Sequence, residues 1–202
     1  MYNKESKPKK FRNFYGRLKG KGLRELQQKL LNDQLEKLSI PAVKYEINPD
    51  RKLIELSDLF KNVTSFSLEI GFGGGEHLVY QAERNPNIGF IGCEPYINGV
   101  AMLAGKLSKT ELTNVRIHPG DVRDLFDVLP DDSIDSVYLL YPDPWPKKRH
   151  HRRRFVTSEY LIDLQRVMKT GALLKLATDI PDYVRQSLQE VCKHHFSWTA
   201  TD

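Results

Sequence analysis

Residues Tyr141 to Pro146, Tyr-Pro-Asp-Pro-Trp-Pro, set one carboxylate and one indole among three prolines, and Lys147 to Arg154 then crowd six Lys or Arg into eight residues. Tyr141, Asp143 and Trp145 each precede a proline, which disfavours helix and predicts a stiff, extended backbone. Pro142, Pro144 and Pro146 supply no N–H donors, so the loop is a poor anion nest; what it presents is an acid and a ring face. A purine suits both. Trp145 can stack on a base, while Asp143 can accept from its donor groups and oppose positive charge that develops on it. The alternative is a structural proline turn around a core tryptophan, but an acid in mid-loop gains nothing from burial.

Three more acids stand where strands are expected to end. Glu69 precedes Gly71-Phe72-Gly73-Gly74-Gly75, and Glu76 follows it. Glycines at 71, 73 and 75 allow positive φ and let a ligand approach the backbone without meeting a Cβ. The spacing is G-x-G-x-G, not the G-x-G-x-x-G that cradles a pyrophosphate at a helix start. A carboxylate on either side of the loop repels a diphosphate and suits a ligand carrying an amine and a sulfonium. Glu94, twenty-three residues after Gly71, is placed to accept from both hydroxyls of a ribose, a demand shared by NAD and S-adenosyl-L-methionine. Asp121, in Gly120-Asp121-Val122, could take the amino group of an adenine, with an ordinary turn as the alternative.

The elements that must position these residues are legible as alternating strands and helices. SFSLEI (65–70) alternates polar and apolar residues, stops at glycine and gives way to a helix over EHLVYQAER before an Asn-Pro break. NIGFIGCE is a second strand, parallel to the first because the helix between them is its crossover. A helix over 98–108, a strand over 114–118 and a strand over 135–141 too apolar for an exposed edge follow. Leu161, Leu164 and Met168 predict a helix over 157–169, with Gly171 as its stop, a fifth strand over ALLKLATD, and a last helix over 182–194. Upstream, leucines from Leu23 to Leu38 recur at helical spacing, and residues 40–58 read as a connection with room for one short helix. This is an α/β class: a doubly wound, mostly parallel sheet covered on both faces, binding its ligand at the carboxyl ends of the strands.

The 202 residues favour one domain, expected over 23–202, after a basic arm over 1–22 that is flexible until it meets a partner. Met1 to Arg24 hold nine Lys or Arg against one acid; with the run after Trp145, about half of the 31 cations lie in two short segments of a chain whose net charge is +5. Two concentrated basic patches point to a polyanion. No apolar run is long enough for a membrane span, and no signal peptide precedes the domain, so a cytoplasmic protein is expected. Cys93 and Cys192 give little reason to expect a disulfide, and His150 and His151 lack the neighbours of a metal site.

Taken together, LEIGFGGGEHL, GCEP, GDVRDL and above all YPDPWPKKRHHRRRFV resemble the bacterial tRNA (guanine-N7-)-methyltransferase family over roughly residues 11 to 180. The glycine and acidic motifs are common to many methyltransferases; the proline-tryptophan-basic stretch is specific to this family. The resemblance implies a class I S-adenosyl-L-methionine-dependent methyltransferase of Rossmann-like fold. It implies that Glu69, Glu94 and Asp121, with Gly71 and Gly73, bind the cofactor through its amino-acid end, ribose and adenine, and that Asp143 is catalytic and also lies at the cofactor. Lys147 and Asp179 match substrate-binding positions, beside Trp145 from its chemistry. Arg149, His150, His151, Arg152, Arg153 and Arg154 match an RNA-contacting segment, the substrate being the variable-loop guanosine at position 46 of tRNA. The family continues through a terminal strand pair with a Thr-x-Phe-Glu motif; here FSWTATD ends the chain as the expected first strand of that pair, without a partner. Two other readings stand: an NAD-dependent oxidoreductase, on Gly71, Gly73 and Glu94 alone, and a non-catalytic RNA-binding relative of a methyltransferase. Sequence leaves monomer and homodimer equally open.

Overall fold

A computed structural model describes residues 12–197. Five parallel strands form one sheet in the order β3-β2-β1-β4-β5: β1 (Ser65–Ile70), β2 (Ile88–Cys93), β3 (Val115–His118), β4 (Ile134–Leu140) and β5 (Met168–Ala177). The chain runs outward from β1 to β3, then crosses back to lay β4 on the other side of β1, so strand order reverses between β1 and β4. In such sheets the crevice above that reversal is the ligand site.

The inner strands β1 and β2 are buried on both faces. The edge strand β5 leaves one face uncovered, with Leu173 60% exposed, so the expected cover on both faces does not extend to that edge; the helices divide between the two faces. Leu68 and Ile70 of β1 and Ile91 and Cys93 of β2 join a core covered by α4 (Val122–Phe126), α5 (Ser158–Val167) and α6 (Pro181–Val191). Phe90 of β2 and Val115 and Ile117 of β3 face the opposite way, into a second core with α1 (Glu25–Leu38), α2 (Glu76–Arg84) and α3 (Ile97–Leu107). Because side chains alternate, Glu69 points to this second layer, and its neighbours across the sheet are Gly92 of β2 and Tyr138 of β4.

The strands and helices expected from the pattern are present, with four differences. Residues 12–22 lie along the domain instead of standing off as an arm. Arg12 pairs with Asp124 and Asp127 at 3.1 and 2.8 Å, Leu18 O accepts from Ile97 N at 3.0 Å, and Asn98 holds both Gly20 N and Lys21 O at 2.8 Å. Gly171 does not stop a helix: α5 ends at Val167, the chain enters β5 at Met168, and Gly171, at φ +83°, sits where the β4–β5 register shifts. The five-residue α4 follows Asp121 directly, and the 40–58 connection holds two short 3-10 turns, at 41–43 and 56–59. Of the strand expected over 196–202, all but its first two residues lies outside the described residues, as does the first half of the basic arm, residues 1–11.

Candidate active site

At the end of β1 the backbone turns through Gly71, Gly73 and Gly75 with φ of +74°, +56° and +79°, a region that costs residues with a Cβ about 1 kcal/mol or more. A Cβ built on Gly71 or Gly73 would meet no atom within 4 Å, so the turn has a bare floor open to a ligand. Below it the fit is tight: a Cβ on Gly99, in the first turn of α3, would come within 2.3 Å of Gly73 O. Glu76, expected to flank the turn as a second acid, swings to Lys106 of α3 at 2.9 Å and leaves Glu69 alone to face the crevice.

Glu69 is nearly buried, and burial raises its pKa against the opposing hydrogen bond and charge of His77. Its Oε2 lies 2.7 Å from His77 Nδ1, while among the described residues no hydrogen bond is made to Oε1. Glu94, at the end of β2, accepts from Gly73 N through Oε2 at 2.7 Å and from Tyr96 N through Oε1 at 2.8 Å. Burial raises its pKa too, and the charge of Asp143 adds to the rise. That repulsion brings the β2 and β4 ends into one electrostatic site. Two buried carboxylates and one exposed one around an open glycine turn form a negative seat.

Asp121 is less free than its sequence position suggests. It caps α4 through Arg123 N at 2.9 Å and is gripped by the Arg123 Nε and Nη2 donors. Arg123 also reaches Glu159 at 3.1 Å and Asn13 O at 2.9 Å, tying β3's end to the docked segment. A ligand amino group at Asp121 therefore shares an already occupied carboxylate.

The proline loop departs from the extended geometry expected of it. Tyr141 and Trp145 take φ of +49° and +41°, left-handed values that cost on the order of 1–3 kcal/mol each and persist only where surroundings over-determine them. Asp143 is exposed, near enough for its charge to act on Glu94, and Tyr141 is 71% exposed. Arg153 lies 5.0 Å from the Trp145 ring and 4.7 Å from the Tyr15 ring, a cation held between two aromatics; His150 meets Trp145 edge-on at 5.9 Å. Lys147 caps a 3-10 turn over Lys148–Arg153 and is exposed, like Arg149 and Arg152. Desolvation, then the charges of Arg153, Arg149, Lys147 and Arg152, hold His150 below the ordinary imidazole value. His151 lies 3.5 Å from Asp182. Asp179 is exposed just beyond β5. Arg154 alone departs from the surface run: its side chain is 1% exposed.

Sequence reasoning passed over His77, Arg123 and Asn98. Only His77 carried a signal, one residue into the helix that opens on the glycine turn. Among the described residues no group of three or more His, Cys, Asp or Glu is placed to hold a metal, and no helix is long and apolar enough to cross a membrane.

A five-stranded parallel sheet with acids and a glycine turn at the reversal of strand order defines a Rossmann-like methyltransferase fold of the class I type. Precorrin-6y C5,15-methyltransferase from Geobacter metallireducens GS-15 shares it, with a TM-score of 0.53 at 17% identity over 76% of this chain and 72% of that one. The family described as "Putative methyltransferase" matches residues 64–202. The tRNA (guanine-N(7)-)-methyltransferase of Roseobacter denitrificans is 59% identical over 198 residues, 98% of this chain and 84% of its own. The enzyme of that name from Ruegeria pomeroyi is 60% identical over 189 residues, 94% and 79% of the two chains. The chain belongs to the tRNA (guanine-N(7)-)-methyltransferase family. The oxidoreductase reading has no support from these relatives.

Proposed function

We propose that this protein transfers the methyl group of S-adenosyl-L-methionine to N7 of a guanosine in tRNA, at position 46 of the variable loop. The observation that carries the reading is the convergence of Glu69, Glu94 and Asp143 around the open turn at Gly71 and Gly73. The residues fit the cofactor: Glu69 has an oxygen left for an ammonium, Glu94 stands at the end of β2 beside the turn with its oxygens on Gly73 N and Tyr96 N, and the bare glycine floor admits a close approach. The negative seat favours a cation. Bound there, the cofactor supplies an electrophilic methyl on a sulfonium.

Guanine N7 carries an available lone pair, so no proton has to leave before the N–C bond forms and the S–C bond breaks. The residues' task is placement. Positive charge moves from sulfur to the base, and Asp143, on the proline loop, orients the guanine and opposes that charge as it arrives. N7 lies on the major-groove edge, deep and narrow in regular A-form RNA, so the target must be presented from an irregular region of a folded RNA. Lys147, Arg149, Arg152 and Arg153 would hold phosphates around it, and Asp179 and Trp145 would line the base site. A tRNA substrate makes the cytoplasm its place of work.

The test is incubation with tritiated methyl donor and unmodified tRNA, followed by chemical cleavage at N7-methylguanosine. Incorporation with a single cut in the variable loop supports the reading. Tight tRNA binding without incorporation would instead favour the non-catalytic relative.

A further inference from the structure

The last cation of the basic run faces inward. Arg154 Nε donates to Pro144 O at 2.7 Å, Nη1 to Gln186 Oε1 at 2.7 Å and Nη2 to Asp182 Oδ2 at 2.8 Å. The guanidinium also lies 5.0 Å from the centre of the Tyr183 ring, itself fully buried, whose hydroxyl accepts from Val156 N at 3.2 Å. Each edge of the fork is thus spent inside the protein, two on α6 and one on the proline loop.

The choice of carbonyl matters. Pro144 O belongs to the peptide that joins Pro144 to Trp145, so the bond fixes the segment between Asp143 and the left-handed Trp145. Proline stiffness alone cannot hold Trp145 at φ +41°, because pre-proline residues prefer extended backbone. Something beyond the prolines must hold it: Arg153 and His150 meet the Trp145 ring, and among the described residues Arg154 is the side chain that hydrogen-bonds the backbone beside it.

We infer that Arg154 is a positioning residue: it clamps the loop bearing Asp143 and Trp145 to α6 and sets the attitude of the base site, and it does not contact RNA. The inference rests on the proposed methyl transfer for its kinetic readout only. Lysine keeps the charge but offers no planar fork, so Arg154→Lys separates clamp from charge.

Trp145 and Trp198 are the chain's two tryptophans, so a Trp198→Phe background makes Trp145 the sole reporter. In that background Arg154→Lys is expected to raise acrylamide quenching of Trp145 and slow single-turnover methyl transfer about 10- to 100-fold, with tRNA affinity and its salt dependence unchanged. Unchanged quenching and rate, with a salt slope reduced by about one, would mark a phosphate contact and overturn the clamp. Should Arg154→Lys not fold, Gln186→Ala removes one arm of the clamp; a smaller change in the same direction supports the inference, and none refutes it. If the Trp198→Phe protein transfers no methyl to tRNA at all, the functional reading fails while the quenching comparison still decides the clamp.

Discussion

His77 Nδ1 and Glu69 Oε2 lie 2.7 Å apart, joining the first turn of α2 to the acid that ends β1. The second ring nitrogen is 3.2 Å from Gln81 Nε2, and the ring meets Tyr138, the cross-strand neighbour of Glu69, edge-on at 4.6 Å. The imidazole is therefore held on three sides and in turn aims the carboxylate. Its hydrogen bond and charge oppose the rise in Glu69 pKa that burial imposes. His77→Ala is expected to weaken cofactor binding about tenfold, and more at pH 6 than at pH 8, because the unsupported carboxyl stays protonated to higher pH. Calorimetry across that range checks it; a pH-independent loss would point to shape alone.

Glu69 also carries a stability prediction. Its folded pKa lies above its unfolded one, so its contribution is fully present below the ordinary carboxylate pKa and is lost as pH rises through the folded value. At neutral pH the buried charge is a cost. Glu69→Gln is thus expected to melt higher than the parent at pH 7, with the difference gone below about pH 4, while losing cofactor binding. Equal melting temperatures at pH 7 would show that His77 already offsets the burial.

Much of this was readable in the residues. The strand over Ser65–Ile70 announces itself by alternation cut off by glycine, and all three glycines expected at positive φ adopt it. What escaped depends on partners distant in sequence. Arg154 looks like its neighbours in a charge run, and only Asp182 and Gln186, nearly thirty residues or more away, decide that it is buried. Gly171 follows a helical pattern and so mimics a cap, but β5 starts before it because Met168 pairs with Ile134. Glu76 reads as half of a pair until Lys106 claims it. The N-terminal segment, polar and basic, has the composition of a free arm, yet Asp124, Asp127 and Asn98 supply the partners that dock residues 12–22.

The docking of that segment can be measured. Asn98→Ala removes the acceptor of Gly20 N and the donor to Lys21 O. Hydrogen exchange at Gly20 is expected to quicken about tenfold or more, while amides of β1 keep their protection. Unaltered exchange at Gly20 would mean that Leu18 and Arg12 suffice to hold the strap.

The exposed cations make a different forecast. Arg149→Ala and Arg152→Ala should each reduce the salt slope of tRNA binding by about one and raise KM with kcat little changed. A fall in kcat at constant KM would place them in the reaction instead.

The central claim is that Asp143 works by position and field, without taking a proton. Single-turnover methyl transfer by Asp143→Asn, followed from pH 6 to 9 at saturating cofactor and tRNA, tests it most directly. The rate is expected to fall about 100-fold or more at every pH, with no new titration. A rate that recovers as pH rises would show that a proton must leave first, and would contradict the account.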